Sequence, residues 1–178
     1  MRKLLLTILC GVAVVVSTAQ TITNSKYGVR VDASVKGVPT TEVIVYTPSI
    51  IRVIKYADGL AQMPDKKSYS VVLEPAGTDF SVYEIGPAVA ISTGQMEVRV
   101  DKQTGEVCFA KGQNLLFQEI AAGEVKLITD GADKGNYEVA QNFRLEKNEA
   151  IFGFGQRGSR KLNQRGEKIK MWNTNGNI

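Results

Sequence analysis

Gln95-Met-Glu-Val-Arg-Val-Asp-Lys-Gln-Thr-Gly-Glu-Val-Cys-Phe109 decides the fold class of this chain. Met96, Val98 and Val100 alternate with Glu97, Arg99 and Asp101, the period-two pattern of a strand with one buried face. Glu106-Val-Cys-Phe109 resumes the apolar character after Asp101-Lys-Gln-Thr-Gly105. Gly105 suits the left-handed position that closes a three- to five-residue hairpin loop. The segment reads as an antiparallel hairpin.

The pattern extends in both directions. On the N-terminal side, Tyr27-Gly-Val-Arg-Val-Asp32 and Glu42-Val-Ile-Val-Tyr46 alternate with the same period. After a Thr47-Pro48-Ser49 break comes Ile50-Ile-Arg-Val-Ile-Lys-Tyr56, rich in β-branched residues. Tyr69-Ser-Val-Val-Leu73 and Ala88-Val-Ala-Ile-Ser92 are expected strands, separated by Pro75, Gly77, Gly86 and Pro87. On the C-terminal side, Leu115-Leu-Phe117, Val125-Lys-Leu-Ile128, Tyr137-Glu-Val-Ala140 and Asn142-Phe-Arg-Leu145 continue the series, with Asp130–Asn136 as a loop. No window carries a capped helical stripe. Short strands at roughly 8–12-residue spacing predict an all-β chain folded as an antiparallel β-sandwich. There is no internal repeat, low-complexity tract or linker, so one domain is expected.

The N-terminus carries an address. Arg2 and Lys3 precede an apolar run from Leu4 to Val16, interrupted only by Thr7 and Gly11, and Ser17-Thr18-Ala19 supplies small residues for cleavage. The pattern predicts a signal peptide at residues 1–19 and a mature domain at 20–178, exported to the periplasm or secreted. The run is short for a membrane span. Cys10 lies inside it after Leu9, a poor setting for lipidation. The formal charge of +4 falls by the two basic residues removed. So small a charge points to neither nucleic acid nor a membrane as partner of the mature chain.

Cys108 is then alone, so no intrachain disulfide forms, and its apolar neighbours suggest an inert packed thiol. A chain of this size buries ~68–70% of its unfolded surface, enough for a core without a staple. The sequence contains no histidine, which removes Ser-His-Asp and Cys-His catalysis and histidine metal sites. Acid–base chemistry would fall to Asp, Glu, Lys or Tyr. No metal or cofactor is expected.

The block Ile151-Phe-Gly-Phe-Gly-Gln-Arg-Gly158 contains Gly153-x-Gly155-x-x-Gly158. In a dinucleotide site those glycines turn a strand into a helix N-terminus that holds pyrophosphate. Here Ser159-Arg-Lys-Leu-Asn-Gln-Arg-Gly166 follows, which has no helical stripe, and no acidic residue lies between Asn173 and Ile178. The nucleotide reading fails on context. The glycines can equally serve a tight bend. Arg157, Arg160, Lys161, Arg165, Lys168 and Lys170 face only Glu167. They read as a solvated face, or a patch contacting another part of a larger protein, rather than a phosphate stripe.

Four pieces in order carry a family resemblance. Ile50-Ile-Arg-Val53 is an arginine between apolar residues; Ile91-Ser-Thr-Gly-Gln-Met-Glu-Val98 leads to Gly105-Glu-Val-Cys-Phe109; Phe143-Arg-Leu-Glu-Lys-Asn-Glu149 follows. The last piece is Ile151-Phe-Gly-Phe-Gly-Gln156 with Leu162-Asn-Gln-Arg-Gly166 and Ile169-Lys-Met-Trp-Asn173. Together they resemble glycoside hydrolase family 31, over most of the mature chain.

The resemblance implies a galactose-mutarotase-like β-sandwich packed on a (β/α)8 barrel, in an exported retaining α-glucosidase or α-xylosidase acting on α-linked oligosaccharides. Two barrel aspartates, ~5–5.5 Å apart across the bond, perform that chemistry. Neither aspartate motif is present before Ile178, so no catalytic residue is assigned and no activity is expected of the chain alone. The sandwich is expected to be incomplete at its C-terminal end.

Gly153, Gly155, Arg165, Gly166 and Asn173 match the family's structural motif, and Gln156, Trp172 and Asn175 are its candidate sugar-facing residues. Where the family often has an aspartate near the −1 sugar, this chain has Asn175. A free-standing carbohydrate-binding sandwich is the alternative, with Trp172 and the six tyrosines as its supply of stacking rings. A mutarotase-type epimerase is excluded because that chemistry needs histidines.

Overall fold

The computed structural model describes residues 22–56, 69–155 and 161–171. Among them there are eleven strands and no helix. The chain divides into two compact units, one running to Phe143 and the other from Arg144.

The first unit holds all the strands. β1 (Ile22–Ser25), β2 (Gly28–Val31), β3 (Thr40–Thr47) and β4 (Ile50–Tyr56) form a four-stranded sheet in chain order. β5 (Ser81–Ile85), β6 (Ala88–Ser92), β7 (Glu97–Asp101), β8 (Val107–Lys111) and β9 (Asn114–Gln118) form a five-stranded sheet, also in chain order. β10 (Glu124–Leu127) and β11 (Tyr137–Ala140) make a separate hairpin. Every pairing is antiparallel. Short connections between successive strands leave little else possible.

The core is where the two larger sheets meet. Val29, Val31, Val43 and Val45 from one pack with Val89, Ile91, Val98, Val100 and Val107 from the other. The registers align them: Val29 faces Val43, Val43 faces Val53, Val89 faces Val100, and Ile91 faces Val98. β-Branched side chains suit this pleated interior because their restricted χ1 costs little on a strand. The expected antiparallel sandwich is present.

The defining hairpin follows its sequence pattern. Val98 and Val100 are buried, whereas Glu97, Arg99 and Asp101 on the opposite face keep partial exposure. Gly105 sits at φ +68°, and its N–H donates to the Asp101 carbonyl at 2.9 Å. The Asp101 carboxylate accepts from the N–H groups of Gln103 and Thr104, each at 2.8 Å. A β-carbon at Gly105 would stand 2.5 Å from Val38 Cγ1, so glycine is required by space as well as by dihedral.

Two expectations about strands need correction. Tyr69–Leu73 forms no strand, and Tyr69 and Val72 are 98% and 88% exposed. High β-propensity does not make a strand without a partner ladder and a face to bury. Asn142–Leu145 contributes only an isolated bridge, Phe143 to Glu119. Conversely, Ser81–Ile85 is the edge strand β5, exposed along its whole length. Its pairing to β6 across a Gly86-Pro87 connection, not burial, makes it a strand, and hydrophobic pattern therefore understates it.

Candidate functional site

In the second unit, the described parts of the glycine block, residues 151–155 and 161–166, hold no strand. Gly153, Phe154 and Gly155 occupy three consecutive positive-φ positions, +106°, +63° and +77°. A left-handed Phe154 costs ~1–2 kcal/mol. No atom crowds the place of a β-carbon at Gly153, Gly155 or Gly166. The glycines serve the backbone turn, not close packing.

A second stretch closes on this turn. The Ile151 N–H donates to Asn163 Oδ1 at 3.1 Å, and the Gln164 N–H donates to the Ile151 carbonyl at 2.7 Å. Arg165 Nη1 donates to the carbonyls of Glu146 and Glu149 at 2.6 and 2.7 Å. The Glu146 N–H in turn donates to the Glu149 carboxylate at 2.9 Å. Arg165 thereby bonds the backbone of a turn from one nitrogen while remaining exposed. Lys161 pairs with Glu167, as the lone acidic residue of that run suggested. Gln156, Trp172, Asn173 and Asn175, with Arg157, Gly158 and Arg160, lie outside the described residues.

A feature that sequence reasoning missed lies in the first unit. Lys55, on the inward face of β4, meets Glu119 just past β9, with Nζ to Oε2 at 2.5 Å and side-chain exposures of 13% and 9%. Lys55 also donates to the Ala122 carbonyl at 2.5 Å and to Gln141 Oε1 at 3.3 Å. Glu119 Oε2 accepts the Val107 N–H at 2.8 Å. A cavity of about 440 Å³ lies beside this pair, lined on one side by Val53 and on the other by Val125, Tyr137 and Val139. The charged position in an otherwise apolar alternation, Val53-x-Lys55, was the available signal.

On the outer face of the five-stranded sheet, the Tyr83 hydroxyl donates to Glu97, which also pairs with Arg99. Burial works to raise the Glu97 carboxyl, but the hydrogen bonds from Tyr83 and Arg99 outweigh it and hold Glu97 below the usual carboxylate range. The Glu97 bond raises the Tyr83 phenol. The group is a tied ionic cluster, not a poised acid or base. Burial raises the Cys108 thiol above its ordinary value, against a smaller opposing pull from Arg99, which fits an inert thiol. Among the described residues, no group of three or more acidic, cysteine or histidine side chains could hold a metal ion.

Two packed antiparallel sheets with a glycine-turn block after them in the chain define an antiparallel β-sandwich domain. The chain belongs to the glycosyl hydrolase 31 N-terminal galactose mutarotase-like domain family, whose model matches residues 40–177. Among solved structures it is similar to a family 31 α-xylosidase from Xanthomonas citri, at 28% identity and a TM-score of 0.71. The match covers 85% of this chain and 16% of that one. A Flavobacterium johnsoniae family 31 dextranase complexed with glucose shares the fold at 24% identity and TM-score 0.66, over 88% of this chain and 18% of its own. A soil-metagenome α-xylosidase complexed with xylose shares it at 17% identity and TM-score 0.63, over 83% and 24%. The chain thus spans between 16% and 24% of the length of these enzymes.

Proposed function

We infer that this domain is the non-catalytic N-terminal sandwich of an exported retaining α-glycosidase of α-glucosidase or α-xylosidase type. In this role it packs on a (β/α)8 barrel and helps shape a pocket for α-linked oligosaccharide. The carrying observation is an apolar flank on a small sandwich. Leu115, Leu116 and Phe117 of β9 are exposed, as are Ile120, Phe143 and the hairpin residues Leu127 and Val139. The Phe117 and Phe143 rings stack with centroids 4.5 Å apart and still face water. The Phe117–Phe143 pair, exposed beside further apolar side chains of β9, suits coverage by further protein. The carbohydrate link draws support from similar enzymes whose structures hold glucose, isomaltotriose and xylose. Export draws support from the Leu4–Val16 run alone.

The reading frame past Ile178 is the direct test. A barrel bearing two catalytic aspartates is the expected result. An immediate stop codon would overturn the reading and favour a free-standing carbohydrate-binding module. The chain by itself is expected to hydrolyse neither aryl α-glucosides nor aryl α-xylosides, and turnover by the purified chain would contradict its non-catalytic role. Mass spectrometry of the exported product should place its N-terminus at Gln20.

A further inference from the structure

Hairpin β10–β11 pairs with neither larger sheet. Its strands are exposed apart from Val125, and a two-stranded ribbon on its own is marginal in water. What holds it is concentrated at its two feet. The Ile120 N–H donates to the Asn142 carbonyl at 2.9 Å, and Gln141 Nε2 donates back to the Ala121 and Asn142 carbonyls at 3.4 and 3.2 Å. These bonds tie the feet to each other. The Ala121 N–H also donates to Glu106 Oε1 at 2.9 Å, anchoring one foot to the five-stranded sheet's side.

The tie to the other sheet is Lys55. Its ammonium has three protons and three acceptors here: Glu119 Oε2, the Ala122 carbonyl in the first foot, and Gln141 Oε1 in the second. The backbone is bent to permit it. Ala121 at φ +64° and Gly123 at φ +82° flank Ala122. A β-carbon at Gly123 would meet Gln141 Oε1 at 2.4 Å and the Ala140 carbonyl at 2.8 Å, so only glycine lets the feet close around the ammonium. Beyond this point, the hairpin's Val125, Tyr137 and Val139 line the cavity together with Val53, so open space lies where side chains could otherwise pack.

We propose that Lys55 is the catch of a strap: it pins both feet of hairpin β10–β11 to β4, and without it the strap opens over the cavity while the sandwich stays folded. The buried pair is suited to this role because an ammonium can satisfy three acceptors from two separate segments, which no apolar side chain can do. Losing one partner leaves the other charge buried and unpaired.

Hydrogen exchange of the full chain, read by mass spectrometry, tests this with two variants. Lys55→Met combined with Glu119→Gln removes both charges without stranding either, and Lys55→Gln combined with Glu119→Gln does the same while keeping a polar side chain at position 55. In both, amides of Glu124–Leu127 and Tyr137–Ala140 should exchange about tenfold faster or more, while those of β6 and β7 stay near wild type. Unchanged exchange in the hairpin would overturn the proposal. So would a parallel rise through the hairpin and core strands, which would make Lys55 a general stabiliser. Should the methionine variant fail to fold, the glutamine one decides between these outcomes.

Discussion

Arg165 Nη1 donates to the Glu149 carbonyl at 2.7 Å, across sixteen residues of chain, and the same nitrogen reaches the Glu146 carbonyl. One guanidinium thus closes the turn at 146–149 from the far side of the glycine block. A charged donor can do this because two backbone acceptors converge on it.

Arg165→Ala should therefore loosen that turn locally, at a cost of ~1–2 kcal/mol for exposed charge-assisted bonds. Cleavage by a glutamate-specific protease at Glu146 and Glu149 should rise several-fold, with cleavage elsewhere unchanged. Arg165→Lys keeps the charge on a side chain of different reach, and should fall between wild type and Arg165→Ala.

Gly105→Ala should destabilise the first unit by ~2–4 kcal/mol, combining the left-handed dihedral with contact against Val38. Gly112→Ala is the control. Gly112 also has a positive φ, +59°, but nothing lies within 4 Å of its β-position, so only the dihedral term remains. Urea denaturation of both variants should separate the terms, and equal losses would contradict the steric argument.

Thr41 is 1% exposed, and its Oγ1 has no hydrogen-bond partner among the described residues. A buried hydroxyl without a partner costs ~1–3 kcal/mol. Thr41→Val replaces it with a methyl of similar shape and is expected to raise the melting temperature. A lower one would mean that the hydroxyl is satisfied by water.

Cys108 should react with a disulfide reagent more slowly than free glutathione at pH 8. Burial raises its pKa above 9.0 and thins the thiolate. Because the folded value lies above the unfolded one, the associated stabilisation is fully present below the unfolded value. It is lost as pH rises through the folded one. Denaturation midpoints measured from pH 7 to 10 should fall at the alkaline end, and less so for Cys108→Ser.

Legibility in the sequence tracked the range of the forces involved. Alternation named the buried face of β7, and the loop ending at Gly105 was readable because its dihedral requirement is local. The family's motif order was equally plain in the one-dimensional string. Pairing was less so. Tyr69–Leu73 has strand composition but no ladder, whereas β5 is a strand by its bonds to β6 alone. The bonds of Arg165 were not readable because its acceptors are backbone carbonyls, which leave no trace in composition.

The sequence by itself determined an all-β chain of this family, because side-chain period and turn chemistry act over a few residues and survive without a partner. Only the tertiary structure decided where Lys55 goes. Its acceptors lie 64 to 86 residues away along the chain, and they meet only because two sheets and a hairpin share one end of the sandwich. Burial, pairing and charge compensation are properties of that meeting, so no single segment could announce them.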